Sequence, residues 1–384
     1  MASRSIPMHL ALGLTVALAA CDPSTSPRDP TSAAAPLTSR AEAPPQISVY
    51  ATGFMFPRGL AFGPDGVLYV AEAGAGGSSF TTAAQCTQVV PPIGPYVNGN
   101  TARISRVDRH GNRTTFAAGF PSGHNALGDV LGIADVAFLD HRMYALSSGG
   151  GCSHGASVPA SVLRLSDGGG SSMVANLSAY QASHPVAHPE ADDFEPDGSW
   201  YSLAASDGHL VAVEPNHGEL VRIDPRTGAI ARIADISASQ GHIVPTVVAE
   251  RHGSYFVGNL GTFPSVAGTE KILRITRQGA VSVVTDGFTQ ILGLAFDHSG
   301  RLYVLESSSV SGFPTPNTGV LLRIDRRGHR DVLASGLFFP TGLTVGPDGA
   351  LYVSTEGFGP PQPGHVLRID VRDRGDHGED GWDD

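Results

Sequence analysis

Short runs of alternating hydrophobic and polar positions occur in pairs along the chain. The segment GLAFGPDGVLYVAEAG at 59–74 returns as GLTVGPDGALYVSTEG at 342–357. Each copy contains two apolar runs separated by a turn rich in Gly, Asp or Pro, which is the pattern of a β-hairpin. Weaker copies begin at Asp135, Ser202, Thr246 and Gly293, so the pattern predicts six hairpins in all.

A third apolar run follows every hairpin, and five of the six copies continue through a tight turn into a fourth run. ELVRIDP followed by AIARIADI is one example. The sixth copy stops after VLRIDV, while ISVYATGF at 47–54, before the first copy, resembles a fourth strand. We therefore predict an all-β fold, a six-bladed β-propeller closed by an N-terminal strand that completes the last blade.

The spacing of the copies agrees with this fold. Equivalent positions in the later copies are 44 to 49 residues apart, the size of one four-stranded blade, at Leu203, Val247, Leu294 and Leu343. In a propeller the first strand of each blade, strand a, lines the central channel, and strands b, c and d follow outward. The predicted a–b and c–d turns are short and share one face, here called the short-turn face. The b–c loops and d–a links share the other, long-loop face, which contains segments 73–101, 121–132, 149–160 and 181–198.

Composition and the chain ends set the expected compartment and partners. The chain has 384 residues and a net charge of −11, which argues against a nucleic-acid partner. Residues 1–20 resemble a signal peptide that ends in LAAC, a lipobox-like sequence, so Cys21 is the predicted lipidation site; an ordinary secretory signal is the alternative. We predict a flexible tether at 21–45, the propeller at 46–372 and an acidic, disordered tail at 373–384. The protein is then expected outside the cytoplasm, in the periplasm or at the cell surface, held to a bacterial membrane only by lipid.

The long-loop face is where we expect a binding site, because long loops on rigid sheets commonly carry function. The residues predicted to line the channel mouth there, together with one loop histidine, are Arg58, Asp135, Tyr201, Thr246, Thr341 and His154. Five strand-b ends point to the same face, and their oxygen atoms could bind Ca²⁺: Glu72, Glu214, Asn259, Glu306 and Glu356. The alternative is that these side chains accept hydrogen bonds from neighbouring amides. The sequence identifies no catalytic residue.

Three further features have open interpretations. Cys86 and Cys152 lie in adjacent b–c loops, which predicts a disulfide; two free thiols or a nucleophile beside His154 are the alternatives. His184 and His188 belong to either a solvated loop or a peripheral cation site. An arginine recurs at one place on strand c of every blade, where we expect structural pairing, at Arg106, Arg164, Arg222, Arg274, Arg323 and Arg368.

With these motifs in view, the chain resembles the ScyD/ScyE family of extracytoplasmic propellers. The resemblance covers about 46–371 and is carried by GFMFPRGLAFGPDGVLYVAEAG, GGGCSHG and FPTGLTVGPDGALYVSTEG. It implies the fold and the compartment but no settled reaction. The chain departs from the family at 199–202, where SWYS replaces an NPYG-like turn.

Two enzyme groups are similar in architecture. Calcium-dependent gluconolactonase-like propellers have a Glu ligand where this chain has Arg58, and no set of cofactor residues of quinoprotein sugar dehydrogenases is found. The first expectation is therefore a binding or accessory protein for a small molecule or protein partner. The alternatives are a calcium-dependent lactonase or other hydrolase, and an enzyme of secondary-metabolite biosynthesis.

Overall fold

The computed structural model describes residues 45–190, 194–325 and 327–371. The predicted signal peptide, Cys21, the tether up to residue 44 and the acidic tail lie outside these ranges. Within them nearly all of the regular secondary structure is β-strand, and none of the helices found there has the length and hydrophobicity needed to cross a membrane.

Six antiparallel sheets form the molecule, five of them four-stranded and one five-stranded. Blade 1 contains β2 (Pro57–Phe62), β3 (Leu68–Glu72), β4 (Val97–Val107), β5 (Arg113–His124) and the short β6 (Val130–Leu131). Blade 2 contains β7 (Ile133–Leu139), β8 (Arg142–Ser147), β9 (Ser161–Leu165) and β10 (Ser171–Asn176). Blade 3 contains β11 (Ser202–Ser206), β12 (His209–Glu214), β13 (Glu219–Ile223) and β14 (Ile230–Asp235).

The remaining blades repeat this order. Blade 4 contains β15 (Pro245–Arg251), β16 (Ser254–Asn259), β17 (Glu270–Thr276) and β18 (Val281–Phe288). Blade 5 contains β19 (Ile291–Phe296), β20 (Leu302–Glu306), β21 (Gly319–Ile324) and β22 (Arg330–Leu337). Blade 6 contains β23 (Gly342–Val345), β24 (Leu351–Thr355), β25 (Pro363–Asp370) and β1 (Gln46–Met55). Two short helices, α1 (Leu177–Ser183) and α2 (Ile236–Gln240), follow the outer strands of blades 2 and 3.

The inner strands close into a ring. Strand β2 contacts β7, and the contacts continue in order through β11, β15, β19 and β23 back to β2. The N-terminal strand β1 pairs with β25, with Val49 opposite Leu367, and so completes blade 6. The predicted six-bladed propeller with N-terminal closure is therefore confirmed.

Apolar side chains fill the spaces between adjacent blades. The cluster between blades 6 and 1 includes Phe54, Leu60, Leu68 and Tyr352, all buried. Turn chemistry shapes each a–b hairpin: in the first, Asp65 accepts a hydrogen bond from the Val67 amide at 3.2 Å. Gly66 has a φ of 74°, which favours glycine at the end of this turn.

Candidate functional site in the central channel

A cavity of about 260 Å³ occupies the central channel and touches the inner strand of every blade. Its wall is mostly aliphatic, with Leu60, Val247 and Leu294 among the contributors. The polar side chains in the wall come from blades 2, 3 and 6: Asp135, Tyr201, Ser202, Thr341 and Thr344. An apolar cavity with a few polar groups at defined places is the usual form of a small-molecule site.

The channel is closed toward the long-loop face. Arg58 is buried there and donates hydrogen bonds to the carbonyls of Val130 at 2.7 Å and of Gly357. Its guanidinium carbon lies 5.9 Å from the centre of the Tyr201 ring, and the Tyr201 hydroxyl lies 3.4 Å from the Thr341 carbonyl. These contacts join blades 1, 3 and 6 across the axis and narrow the channel at this end.

Exposure along the inner strands shows where the channel opens. The residues that begin these strands are buried, whereas the residues near their ends are partly exposed, as at Phe62, Phe138, Ala205, Phe296 and Val345. Those ends lie at the a–b turns, on the short-turn face. The cavity therefore opens toward the short-turn face, and the expected site on the long-loop face stays a prediction.

Asp135 is the carboxyl group of the cavity wall. Its Oδ2 accepts hydrogen bonds from the Leu203 amide at 2.8 Å and from the Ser202 hydroxyl at 3.2 Å, and Oδ1 accepts one from the Val136 amide. Burial raises the pKa of Asp135 to about 7, against these hydrogen bonds, which lower it. The carboxyl group therefore exchanges a proton near neutral pH, and it can act as hydrogen-bond donor or as an anion.

Gly59 sets the distance between blades 1 and 2 at this point. A Cβ atom built on Gly59 would lie 1.9 Å from Asp135 Oδ1, so a side chain there would push the carboxyl group away. The absence of a side chain at Gly59 therefore lets the Asp135 carboxyl group pack against the inner strand of blade 1.

Burial also raises the pKa of Tyr201 to about 12, which keeps its hydroxyl neutral. The hydroxyl is thus a neutral hydrogen-bonding group beside the Arg58 cation. Because this hydroxyl donates to the Thr341 carbonyl, it offers the closed end of the channel an acceptor, and Asp135 adds one titratable group.

Thr246, which the sequence predicts at the channel mouth, makes a hydrogen bond between two blades. It is buried, and its hydroxyl donates to the Ile291 carbonyl at 2.6 Å, which ties blade 4 to blade 5. Thr341 likewise donates from Oγ1 to the Pro57 carbonyl at 2.7 Å and ties blade 6 to blade 1.

The strand-b ends do not come together around the axis. Glu72 accepts from the Met55 amide at 2.6 Å and pairs with Arg103, while Glu214 accepts from the Ser199 amide at 2.7 Å. The other three likewise bond to nearby groups: Asn259 to the Ile243 carbonyl, Glu306 to the Thr289 amide and Glu356 to His365. In the described ranges no three His, Cys, Asp or Glu side chains are grouped so that they could hold a metal ion.

His154 lies away from the channel, under the loops of blades 1 to 3. It is fully buried, its Nε2 is 3.1 Å from Glu195 Oε2, and its Nδ1 is 2.8 Å from the Gly150 carbonyl. Burial lowers the pKa of His154, but the hydrogen bond and charge of Glu195 outweigh it, so the net pKa is raised. The Cys86–Cys152 disulfide is formed beside this pair, which confirms the predicted bridge.

The remaining sequence features have local partners. His184 stacks on Tyr180 with ring centroids 4.4 Å apart, and the His188 amide donates to Ser237 Oγ at 3.1 Å. Four of the six strand-c arginines have partners within their own blade: Arg323 and Arg368 pair with Asp331 and Asp348, whereas Arg106 and Arg274 bond the hydroxyls of Thr114 and Ser254. The other two, Arg164 and Arg222, have no hydrogen-bond or ion-pair partner within the described ranges.

These ionisable groups predict how stability changes with pH. Burial raises the pKa of Asp135, Glu219 and Glu306 to about 7, well above their unfolded values, and the pKa of His154 is raised as well. The folded state therefore binds protons more tightly than the unfolded state. Lowering the pH from about 8 to about 5.5 should raise the free energy of unfolding by roughly 2–5 kcal/mol.

Denaturant unfolding at the two pH values measures this effect. Carboxyl groups whose pKa is lowered, such as Asp235 and Asp348, titrate below this window and do not oppose the trend. Stability that instead rises from pH 5.5 to 8 would contradict the assigned protonation states.

Comparison with known proteins finds similar folds but no related sequence. No protein-family model matches the sequence, and no curated protein matches it. Among solved structures, a putative oxidoreductase (glucose dehydrogenase) from Thermus thermophilus is similar, with a TM-score of 0.53, 19% identity and coverage of 85% of this chain and 99% of that one. The soluble aldose sugar dehydrogenase from Escherichia coli is also similar, with a TM-score of 0.52, 14% identity and coverage of 85% of this chain and 100% of that one.

A gluconolactonase from Xanthomonas campestris is similar to the same extent, with a TM-score of 0.50, 11% identity and coverage of 86% of this chain and 96% of that one. At such identities the likeness concerns the fold alone, and the resemblance to the ScyD/ScyE family stays a prediction. In fold, the chain is a six-bladed β-propeller.

Proposed function

We propose that the protein is an extracytoplasmic binding protein that takes a small, largely apolar molecule into its central channel. The observation that carries this proposal is the cavity of about 260 Å³ in the channel, with Asp135 in an otherwise mostly aliphatic wall. The ligand would enter from the short-turn face and place a polar end near Asp135, Ser202 and Tyr201.

The chemistry of the wall defines the ligand class. Aliphatic side chains favour a compact hydrocarbon body, because burial of apolar surface is the main source of affinity in such a cavity. With a pKa of about 7, Asp135 is largely ionised at pH 8, where it attracts an ammonium group and repels a carboxylate. At pH 6 it is largely protonated and suits a neutral hydroxyl or carbonyl.

Three cyclohexyl compounds test this proposal by isothermal titration calorimetry: cyclohexylamine, cyclohexanol and cyclohexanecarboxylate. We expect cyclohexylamine to bind more tightly at pH 8 than at pH 6, cyclohexanol to bind with little pH dependence, and the carboxylate not to bind at pH 8. In Asp135→Asn the amine should lose about tenfold or more in affinity at pH 8, while cyclohexanol binding remains.

A cavity-filling variant tests the place of binding. Ala205 lines the cavity, and the equivalent position of three other blades holds Phe62, Phe138 or Phe296, so phenylalanine suits this backbone. Ala205→Phe should abolish binding of cyclohexanol, whereas Val332→Phe, on an outer strand and 61% exposed, should leave it unchanged. Equal binding by both variants would place the compound elsewhere and remove the support for a channel site.

The lactonase alternative has a distinct signature. It is motivated by the fold likeness to a gluconolactonase. One Ca²⁺ bound per chain, lost in Glu72→Gln or Glu306→Gln and accompanied by lactone hydrolysis, would favour that alternative over the binding protein.

The compartment is part of the proposal and rests on the LAAC sequence at 18–21. We expect a bacterial host expressing the full chain to incorporate labelled palmitate into it, and Cys21→Ser to lose the label and leave the membrane fraction. Cys86→Ser, which leaves the lipobox intact, is the control. If the wild-type chain and the Cys86→Ser control were also unlabelled and released from the membrane, lipid anchoring would be contradicted and an ordinary secretory signal supported.

A further inference from the structure

A second cavity, of about 270 Å³, lies between blades 3 and 4. It is lined by the a–b turn and strands c and d of blade 3, and by strand b and the c–d turn of blade 4. We call it the interblade pocket and define it by six of its lining residues: Ser206, Asp207, His209, Arg222, Tyr255 and Arg277.

The interblade pocket concentrates positive charge in a chain whose net charge is −11. Its full lining includes three arginines and one histidine but one carboxylate, that of Asp207. Asp207 pairs with Arg277, and its carbonyl bonds His209 Nδ1 at 3.0 Å. Arg232, the third arginine, is bonded to Glu219 at 2.6 Å and faces that carboxylate.

Arg222 is the arginine of the pocket for which the described residues supply no partner. Across the described ranges its guanidinium makes no hydrogen bond or ion pair, although its equivalents in blades 4, 5 and 6 pair with Ser254, Asp331 and Asp348. The side chain is exposed along the pocket, and its donors are free to bind an anion.

Ser206 supplies a second, independent observation. The residue is only 6% exposed, it lines the pocket, and its hydroxyl has no hydrogen-bond partner in the described ranges. Buried hydroxyls are normally satisfied, so an unpaired one in the lining of the same pocket as Arg222 indicates a missing acceptor. A bound oxyanion would provide that acceptor.

We propose that the interblade pocket binds a phosphate group. The tetrahedral anion presents enough acceptor oxygens to bond the forked donors of Arg222 and Arg277 and the hydroxyl of Ser206 together. The group belongs to either inorganic phosphate or a small phosphate monoester. The site is separate from the channel cavity, and neither proposal depends on the other.

Calorimetric titration at constant ionic strength tests this site with inorganic phosphate and with glycerol 3-phosphate, each against sodium chloride. We expect phosphate-specific binding that weakens about tenfold or more in Arg222→Gln and several-fold in Ser206→Ala. Tighter binding of glycerol 3-phosphate identifies an organic phosphate as the ligand, and equal binding identifies free phosphate; both support the site.

The matched control is Arg164→Gln. Arg164 occupies the same place on strand c of blade 2, also has no partner in the described ranges, and lines neither cavity. It should bind phosphate like the wild type, and thermal unfolding should show that both arginine variants remain folded. The proposal is overturned if phosphate gives no specific heat at about 10 mM, or if both arginine variants weaken binding equally.

Discussion

Phe54→Ala is expected to lower the free energy of unfolding by about 3–5 kcal/mol, whereas Val49→Ala on the same strand should change it by about 0.5 kcal/mol or less. Phe54 is 2% exposed and belongs to the apolar cluster between blades 6 and 1. Val49 is 57% exposed, although it pairs with Leu367 in the same sheet. The two losses of stability differ because Phe54 is buried where the ring closes and Val49 is not.

Denaturant unfolding of both variants measures the two effects. A large loss in Phe54→Ala with an unchanged denaturant slope would show that the closing strand unfolds together with the whole ring. If Phe54→Ala were as mild as Val49→Ala, the cluster between blades 6 and 1 would not hold the ring closed, and the energetic role of β1 would be contradicted.

Glu195→Ala is expected to lower the free energy of unfolding by about 1–3 kcal/mol at pH 6, because it leaves His154 buried without its hydrogen-bond and charge partner. His154 is fully buried and lies 3.1 Å from the Glu195 carboxylate. The raised pKa of His154 means that its contribution to stability is present below about pH 6.5 and is lost as the pH rises through the folded value.

Two controls accompany this variant. Asp331→Ala breaks the half-exposed pair with Arg323 and should change the free energy of unfolding by less than about 1 kcal/mol. Glu195→Gln keeps an acceptor for His154 but removes the charge, so the loss should be smaller and the pH dependence above about 6.5 should flatten. A Glu195→Ala variant no less stable than Asp331→Ala would show that the buried pair is not a structural element.

The architecture could be predicted from the sequence because its signals are local. Each hairpin carries its own turn, and the unmatched strand at 47–54 fits the one blade that lacks its fourth strand. The disulfide was predictable because Cys86 and Cys152 fall in neighbouring loops on one face.

The site depended on contacts between distant segments. Arg58 closes the channel by bonding carbonyls of Val130 and Gly357, and a sequence pattern does not show which carbonyls a side chain will reach. Glu195, the partner of His154, lies 41 residues further along the chain in a proline-containing loop. The sequence places the strand-end Glu residues on one face. It does not show where their carboxylates point, because each carboxylate bonds a nearby amide, as Glu306 bonds the amide of Thr289 in the link before its blade.

A crystal structure of the protein soaked with cyclohexylamine at pH 8 tests the channel site most directly. We predict density for the ring among the aliphatic side chains of the channel and for the amine within hydrogen-bond distance, about 3 Å, of an Asp135 carboxylate oxygen. An empty channel, or an amine bound only on the long-loop face, would contradict a binding site in the channel.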